Sequence, residues 1–509
     1  MKKRVIYSVL FLICLLLSLW QTRFSLLLLW ERGGRFLEMA GQMFPPDMEF
    51  WTVIGQPLWD TLYISAAGTC FGGVLGAIGT FTCNSYVNHW KTVRIGFKTT
   101  VHLFRCIPVL ILALLCTFVF GLGMWSGIIA VTLSTGAVLS RLGYEDSENA
   151  ELRTARVLEF SGAGRSKAYL ASVWRQILPG YLANLLYLLE SNVRNAAVIG
   201  FVGAGGVGLL LQEKLTWREY SKVGMILCVL YLVVLLSEVL SGFLRKQLLK
   251  TEKKKKNDRL LVSVLFLAFV FYTIHFFPGF NEINKTAIVS IINGVVSPDI
   301  TMIFSLQEED VPALLFETFC IAFLGTLGGT LLALLFSVFA SFRFFGSVAV
   351  LMRLVLLVFR SVPILVYGLF WIRVTGPGPF AGVLTLALGS IGLLAKRFLI
   401  AIDSIDLRPF QVLRAAGVTV IPAIRWGIIP QIVPHYLSSV LYRMDINLRE
   451  AAVLGLVGAG GIGTPLLLAM NHYEWTKAGS LLWGMVLLVA VAGLVSEQCR
   501  RDYRQRKIK

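Results

Sequence analysis

The sequence predicts an all-α, multi-pass membrane protein with about 12 transmembrane helices arranged as two parallel six-helix repeats. Three observations carry that reading. Of 509 residues, 56% are hydrophobic and only 15% charged, and the mean hydropathy is +0.73. A soluble domain carries about 25% charged residues, so most of this chain belongs in lipid. Apolar runs of the roughly 20 residues that a helix needs to cross a bilayer recur from one end to the other. The second half also repeats the motifs of the first at a constant distance.

The spans fall at about 5–22, 58–83, 101–121, 124–141, 181–201 and 222–243, then 260–277, 313–340, 352–372, 380–398, 436–456 and 478–497. The first run leads into Trp20-Gln21-Thr22-Arg23 with no small-x-small exit and reads as an uncleaved helix. Lys and Arg gather on the cytoplasmic side, which places both termini in the cytoplasm of a cell that holds the chain in its inner membrane. The basic run Arg245 to Arg259, with Lys253-Lys254-Lys255-Lys256, becomes a cytoplasmic loop between the sixth and seventh helices. Its role is to anchor topology near anionic headgroups rather than to bind nucleic acid.

Several function classes drop out. The net charge of +18 comes without the polar surface a nucleic-acid binder needs. Cys14, Cys70, Cys83, Cys106, Cys116, Cys228, Cys320 and Cys499 are scattered through apolar stretches with no CxxC pair, and the five histidines are equally dispersed. Neither a disulfide framework nor a metal site is expected. With no G-x-x-x-x-G-K-[ST], nucleophile elbow or H-E-x-x-H, the chain is expected to be no enzyme and to hold no cofactor, any ATP being bound by a partner.

The repeat is specific. Asn192 to Gly208 reads NVRNAAVIGFVGAGGVG, and 255 residues on Asn447 to Gly463 reads NLREAAVLGLVGAGGIG, identical at 12 of 17 positions. The same step aligns Phe104-Arg105-Cys106-Ile107-Pro108 with Phe359-Arg360-Ser361-Val362-Pro363, and Gln176 to Pro179 with Gln431 to Pro434. The halves are then 1–250, with a core at about 57–243, and 260–509, with a core at about 312–497, joined by a basic linker at 251–259. Six helices per half give both the same orientation, related by an axis along the membrane normal. A pathway on that axis would be lined by equivalent residues of both halves.

Each half carries a long cytoplasmic segment. One, at about 142–180, includes Arg153, Arg156, Gly162, Ala163, Gly164 and Pro179; the other, at about 399–434, includes Arg408, Arg414, Ala415, Ala416, Gly417, Pro430 and Pro434. Helical spacing, a Gly and a terminal Pro predict a helix-turn-helix that projects toward a protein partner.

Ionisable groups at membrane depth cost roughly 2.5–3.5 kcal/mol each and are functional candidates. Glu190 with Arg194, and Asp445 with Arg449, stand four apart on one helical face, with Tyr187 and Tyr442 nearby. Two readings stay open: an internal salt bridge that makes each helix insertable, or arginines that line a path together with Asn192 and Asn447 and meet an oxyanion through paired N–H groups. Arg105 and Arg360 form a second candidate pair, with snorkelling to the cytoplasmic surface as the alternative. The clusters Gly203, Gly205, Gly206, Gly208 and Gly458, Gly460, Gly461, Gly463 fit G-x-G-x-x-G, but they follow a membrane helix instead of a strand. They predict a bend or re-entrant turn at the outer mouth, where exposed N–H groups would form a weak anion nest.

The hairpin segments resemble the EAA-type coupling loop of type I ABC-importer permeases: Gln411-Val412-Leu413-Arg414-Ala415-Ala416-Gly417 followed by Ile428-Ile429-Pro430-Gln431-Ile432-Val433-Pro434. The stretch Tyr442 to Gly463, with Arg360-Ser361-Val362-Pro363, resembles the phosphonate-uptake permease family. The acidic residue that opens the EAA pattern is replaced by Arg156 and Gln411, and Arg175 stands where the second half has Pro430. The resemblance implies the type I ABC importer fold and, as partners, two copies of an ATPase subunit on the cytoplasmic loops and an extracytoplasmic solute-binding protein. As cargo it implies phosphonate, phosphite, phosphate or a phosphate ester. The alternative is an ion-coupled secondary transporter working through Glu190 and Asp445.

Overall fold

The computed structural model describes residues 2–249, 283–305, 307 and 310–505. The linker at 251–259 and the expected seventh span at 260–277 lie outside the described residues. All regular structure among the described residues is helical.

In the first repeat the order is α1 (Lys2–Gln21), α2 (Leu26–Gly41), α3 (Trp51–Cys83), α4 (Lys91–Cys106), α5 (Val109–Phe120), α6 (Met124–Glu148), α7 (Arg153–Phe160), α8 (Arg165–Tyr169), α9 (Arg175–Ile199), α10 (Val207–Thr216) and α11 (Tyr220–Leu249). The second repeat follows with α12 (Lys285–Val296), α13 (Ile300–Phe304), α14 (Val311–Phe339), α15 (Phe342–Phe345), α16 (Val348–Ser361), α17 (Ile364–Thr375) and α18 (Pro379–Asp403). It ends with α19 (Arg408–Ala415), α20 (Val420–Gly427), α21 (Ile429–Gly455), α22 (Gly463–Asn471) and α23 (Trp475–Gln505).

Six helices, α3, α6, α11, α14, α18 and α23, are long and apolar enough to cross a membrane, and four bent pairs raise the described total to ten. Some of the expected spans are bent rather than straight. The third span of each half, read at 101–121 and 352–372, is two helices: α4 meets α5 at 97°, and α16 meets α17 at 82°. Ile107-Pro108 and Val362-Pro363 cause the break, since proline lacks the N–H that would continue the ladder and drives the residue before it to extended backbone (Ile107 ψ 124°, Val362 ψ 123°). The first span likewise bends by 60° between α1 and α2. The span read at 436–456 lies within α21, which is long enough but carries Arg443, Asp445, Arg449 and Glu450.

The packing crosses the boundaries drawn from the repeat. One compact unit comprises residues 42–289; the other comprises 290–509 together with 1–41. In the second unit α1 lies on α14, with Phe11 edge-on to Phe323 at 5.7 Å, and Phe36 of α2 stacks on Trp371 of α17 at 4.7 Å.

Each unit is centred on one close helix pair. In the first, Gly68, Gly72 and Gly76 of α3 receive Val131, Thr135 and Leu139 of α6, so a Cβ at any of them would overlap its neighbour. In the second, Gly325 and Gly329 of α14 receive Leu386 and Ser390 of α18. Small residues four apart let backbones approach where lipid supplies no hydrophobic drive for helix association. The step from α3 to α14 is 257 rather than 255, pairing Thr61 with Thr318 and Thr69 with Thr326, whereas that from α6 to α18 stays at 255.

Candidate functional site

Each half presents the same three features in chain order: a hairpin, a charged helix and a glycine turn. The hairpins are the expected helix-turn-helix, shorter than read because α6 runs on to Glu148 and α18 to Asp403. In the first, Gly162 (φ 90°) follows α7; its N–H donates to Glu159 O and that of Ala163 to Leu158 O. In the second, Gly417 (φ 83°) follows α19; its N–H donates to Arg414 O and that of Val418 to Leu413 O. This paired closure stops a helix on a left-handed residue, a conformation glycine adopts without a Cβ clash. Ala415 and Ala416 precede that turn on the exposed side, and no residue of α19 is buried. Pro179 and Pro434 lie inside α9 and α21, past the first turn, while Pro430 and Arg175, at the aligned position, are exposed.

The hairpins are seated differently. In the first, Tyr169 Oη lies 2.9 Å from Ser147 Oγ, Tyr86 Oη donates to Glu159 at 3.0 Å, and Arg165 Nε donates to Glu159 at 2.5 Å. In the second, Gln431 Nε2 donates to Asp406 O and Gly427 O at 2.9 and 2.7 Å. The hydrogen bonds from Arg165 and Tyr86 hold the Glu159 carboxyl below its ordinary value. A lowered carboxyl stabilises the fold at pH values above the ordinary carboxylate range, and that stabilisation disappears as pH falls through the lowered value. Glu159→Gln should therefore speed hydrogen exchange of the Leu158–Tyr169 amides at pH 7 and leave Leu413–Ile424 unchanged; as pH falls through the lowered carboxyl value the difference between variant and parent should shrink.

In the membrane, both expected pairs form. Arg194 Nη1 lies 3.2 Å from Glu190 and Arg449 Nη2 2.6 Å from Asp445. Glu190 is buried and has a second cation, Arg245 of α11, at 3.5 Å. Tyr187 and Tyr442 face guanidinium groups of Arg245 and Arg397 at 5.8 and 3.9 Å. The asparagines point elsewhere. Asn192 Nδ2 donates to Thr69 and Thr135, both at 2.8 Å, and Asn447 Nδ2 donates to Thr326 and Ser390 at 2.7 and 3.0 Å. Both amide N–H groups are used in tying three helices of one unit together, so neither is left for an anion. Arg105 and Arg360 are half-buried in the last turns of α4 and α16, one residue before each helix ends at the bend. A cation there is favoured by the helix dipole, by about 0.3–1 kcal/mol at an exposed end.

One pair escaped the sequence reading. Arg443 is 2% exposed; its Nη2 meets Glu450 at 2.7 Å and its Nε donates to Ser390 Oγ at 3.0 Å. The aligned residues of the first half are Leu188 and Asn195, so the feature belongs to the second half alone. Spacing of seven puts both on one helical face two turns apart, the signal that a search confined to i, i+4 passes over.

After the charged helices, Gly203, Gly205, Gly206, Gly458, Gly460 and Gly461 all have φ between 78° and 90°, and the chain bends by 55° between α9 and α10. Gly208 and Gly463 are helical and press on Gly200 and Gly455, leaving no room for a side chain. The turn is pinned identically twice: Thr61 Oγ1 accepts from Val207 N at 2.8 Å and Thr318 Oγ1 from Ile462 N at 2.9 Å. Gly123 N donates to Gly203 O and Gly378 N to Gly458 O, each at 2.9 Å. In the second half these N–H groups are consumed further, with Gly461 N donating to Glu317 at 2.8 Å. Thr318→Val should leave the Ile462 N–H unpaired and cost about 1–3 kcal/mol. A lower unfolding midpoint in detergent would show it, and Thr61→Val should match it.

Two helical repeats, each with a hairpin and a charged helix running to a glycine turn, fit a duplicated membrane transport permease. The chain belongs to the family of binding-protein-dependent transport system inner membrane components, whose model matches it twice, at residues 68–250 and 325–501. Among its relatives, the phosphate-import permease protein PhnE of Mycolicibacterium smegmatis is 27% identical over 94% of this chain and 90% of its own length. The phosphite transport system permease protein PtxC of Stutzerimonas stutzeri is 30% identical over 35% of this chain and 67% of its own. A putative cryptic phosphonate transport system permease protein of Escherichia coli, PhnE2, is 31% identical over 24% of this chain and 99% of its own.

Proposed function

We propose that this chain is the channel-forming subunit of an ATP-driven importer that carries phosphonate or a closely related phosphorus oxyanion into the cytoplasm. The observation that carries the mechanism is the pair of exposed hairpins closed on Gly162 and Gly417, one per half at the same register. They offer two docking points, one for each copy of a separate ATPase subunit. The substrate class rests on the relatives, whose names give phosphate, phosphite and phosphonate as cargo. A solute-binding protein would deliver it at the outer glycine turns, and both termini would lie in the cytoplasm.

Arg194 and Arg449 remain the pathway candidates, each balanced by a carboxylate on its own helix. Neutral pairs suit a path, since a deep anion well would stall release. Arg449→Gln should slow uptake severalfold with normal membrane expression; unchanged uptake would remove Arg449 from the path. The subunit assignment is tested by co-purification from native membranes, where an ATPase subunit should accompany the chain and nucleotide-driven hydrolysis should rise when loaded binding protein is added.

A further inference from the structure

The two hairpins differ in a way that points to a second partner for one of them. In the first, the chain after the turn is seated in protein: Tyr169 is fully buried, edge-on to Phe81 at 5.6 Å, and Ala155 and Val173 are buried beside it. The aligned part of the second hairpin, α20, buries only Ala423 and Gly427. Ile424, in the place of Tyr169, is exposed. Ile421 is 80% exposed where the first half has Ser166, and Trp426 is 70% exposed where it has Ala171.

We infer that α20 lies in the headgroup–acyl boundary of the inner leaflet and that the bilayer seats the second hairpin, as protein packing seats the first. Three observations favour lipid over protein. The inference rests on the reading above in one respect: if two copies of one ATPase subunit serve both hairpins, their clefts recognise what the hairpins share, and Ile421 and Trp426 are not shared. The exposed apolar strip also continues from Val420, Ile421 and Ile424 into Ile429, Val433 and Leu437 of α21, the helix that enters the membrane. Finally, the one charge on α20 is Arg425, beside the Trp426 ring at 6.0 Å. Trp with a neighbouring Arg is the composition of an interfacial segment, the ring at headgroup depth and the guanidinium reaching phosphate.

The test is quenching in proteoliposomes of phosphatidylcholine and phosphatidylglycerol, without ATPase. The chain has twelve tryptophans, so the Trp426 contribution is taken as the difference between the parent and a Trp426→Phe variant. Lipid brominated at carbons 6 and 7 should quench that difference at least twofold, and aqueous iodide should leave it nearly untouched. A difference signal insensitive to brominated lipid overturns the inference. So does one shielded from iodide only after the ATPase is added, because the face then belongs to the ATPase. As a second readout, Ile421→Ser with Trp426→Ala, the first-half residues, should speed hydrogen exchange across Arg408–Gly427 in the bilayer while ATPase capture persists; unchanged exchange overturns the inference. Failure of the importer reading would show separately, as no ATPase capture by any variant.

Discussion

Replacing Gly417 with valine should abolish most uptake while the protein still reaches the membrane and ATP hydrolysis continues uncoupled. The turn after α19 holds Gly417 at φ 83°. A left-handed residue with a Cβ costs about 1–2 kcal/mol, and more when β-branched. No side chain lies within 4 Å of where that Cβ would stand, so the defect is local to the backbone and no core is disturbed. The chain relieves it by giving up the closing bonds from Gly417 and Val418, which re-aims α19 relative to α20. Gly162→Val should do the same to a smaller extent, because Tyr86, Ser147 and Glu159 hold the first hairpin independently. ATPase assays in parallel with uptake would check both; normal coupling in Gly417→Val would remove the basis for calling this the docking loop.

The second large effect is expected at Arg443 and Glu450. Breaking a buried ion pair by deleting one partner costs about 3–5 kcal/mol because the other charge is left uncompensated. The two deletions should differ. Arg443 is almost completely buried, whereas the Glu450 side chain is 28% exposed and retains access to water. Glu450→Gln should therefore lower the unfolding midpoint by several degrees, more than Arg443→Leu does. The double variant Arg443→Leu with Glu450→Asn installs the residues the first half already carries at this register and should recover most of the loss. Uptake by the double variant then separates structure from function: stability restored with uptake still low assigns the pair a role in transport.

The fold was legible in the sequence to the extent that it rests on composition and repetition. Apolar length placed the six straight spans, and the 255-residue step located both hairpins and both outer turns. Bends were less legible, because hydropathy sums across Ile107-Pro108 and Val362-Pro363 without registering that the ladder stops there. The ownership of α1 and α2 was invisible for another reason: chain order assigns them to the first repeat, but Phe11 and Phe36 find aromatic partners in the second. At the site, i, i+4 spacing found Glu190 with Arg194 and Asp445 with Arg449. It also drew Asn192 and Asn447 toward the path, whereas threonine and serine hydroxyls contributed by two other helices take their donors. Those partners are 57 to 123 residues away in sequence and leave no local trace.

In the proposed importer, transport through this chain is driven by ATP hydrolysed on another subunit. The most direct measurement is uptake of phosphonate, phosphite and phosphate into proteoliposomes holding this chain, with ATPase, binding protein and ion gradients supplied singly and together. Uptake of at least one oxyanion only when ATP, ATPase and loaded binding protein are all present, and unaffected by collapsing the gradients, is the predicted result. Gradient-driven uptake by the chain alone, lost on Glu190→Gln or Asp445→Asn, would contradict it and make the protein a secondary transporter.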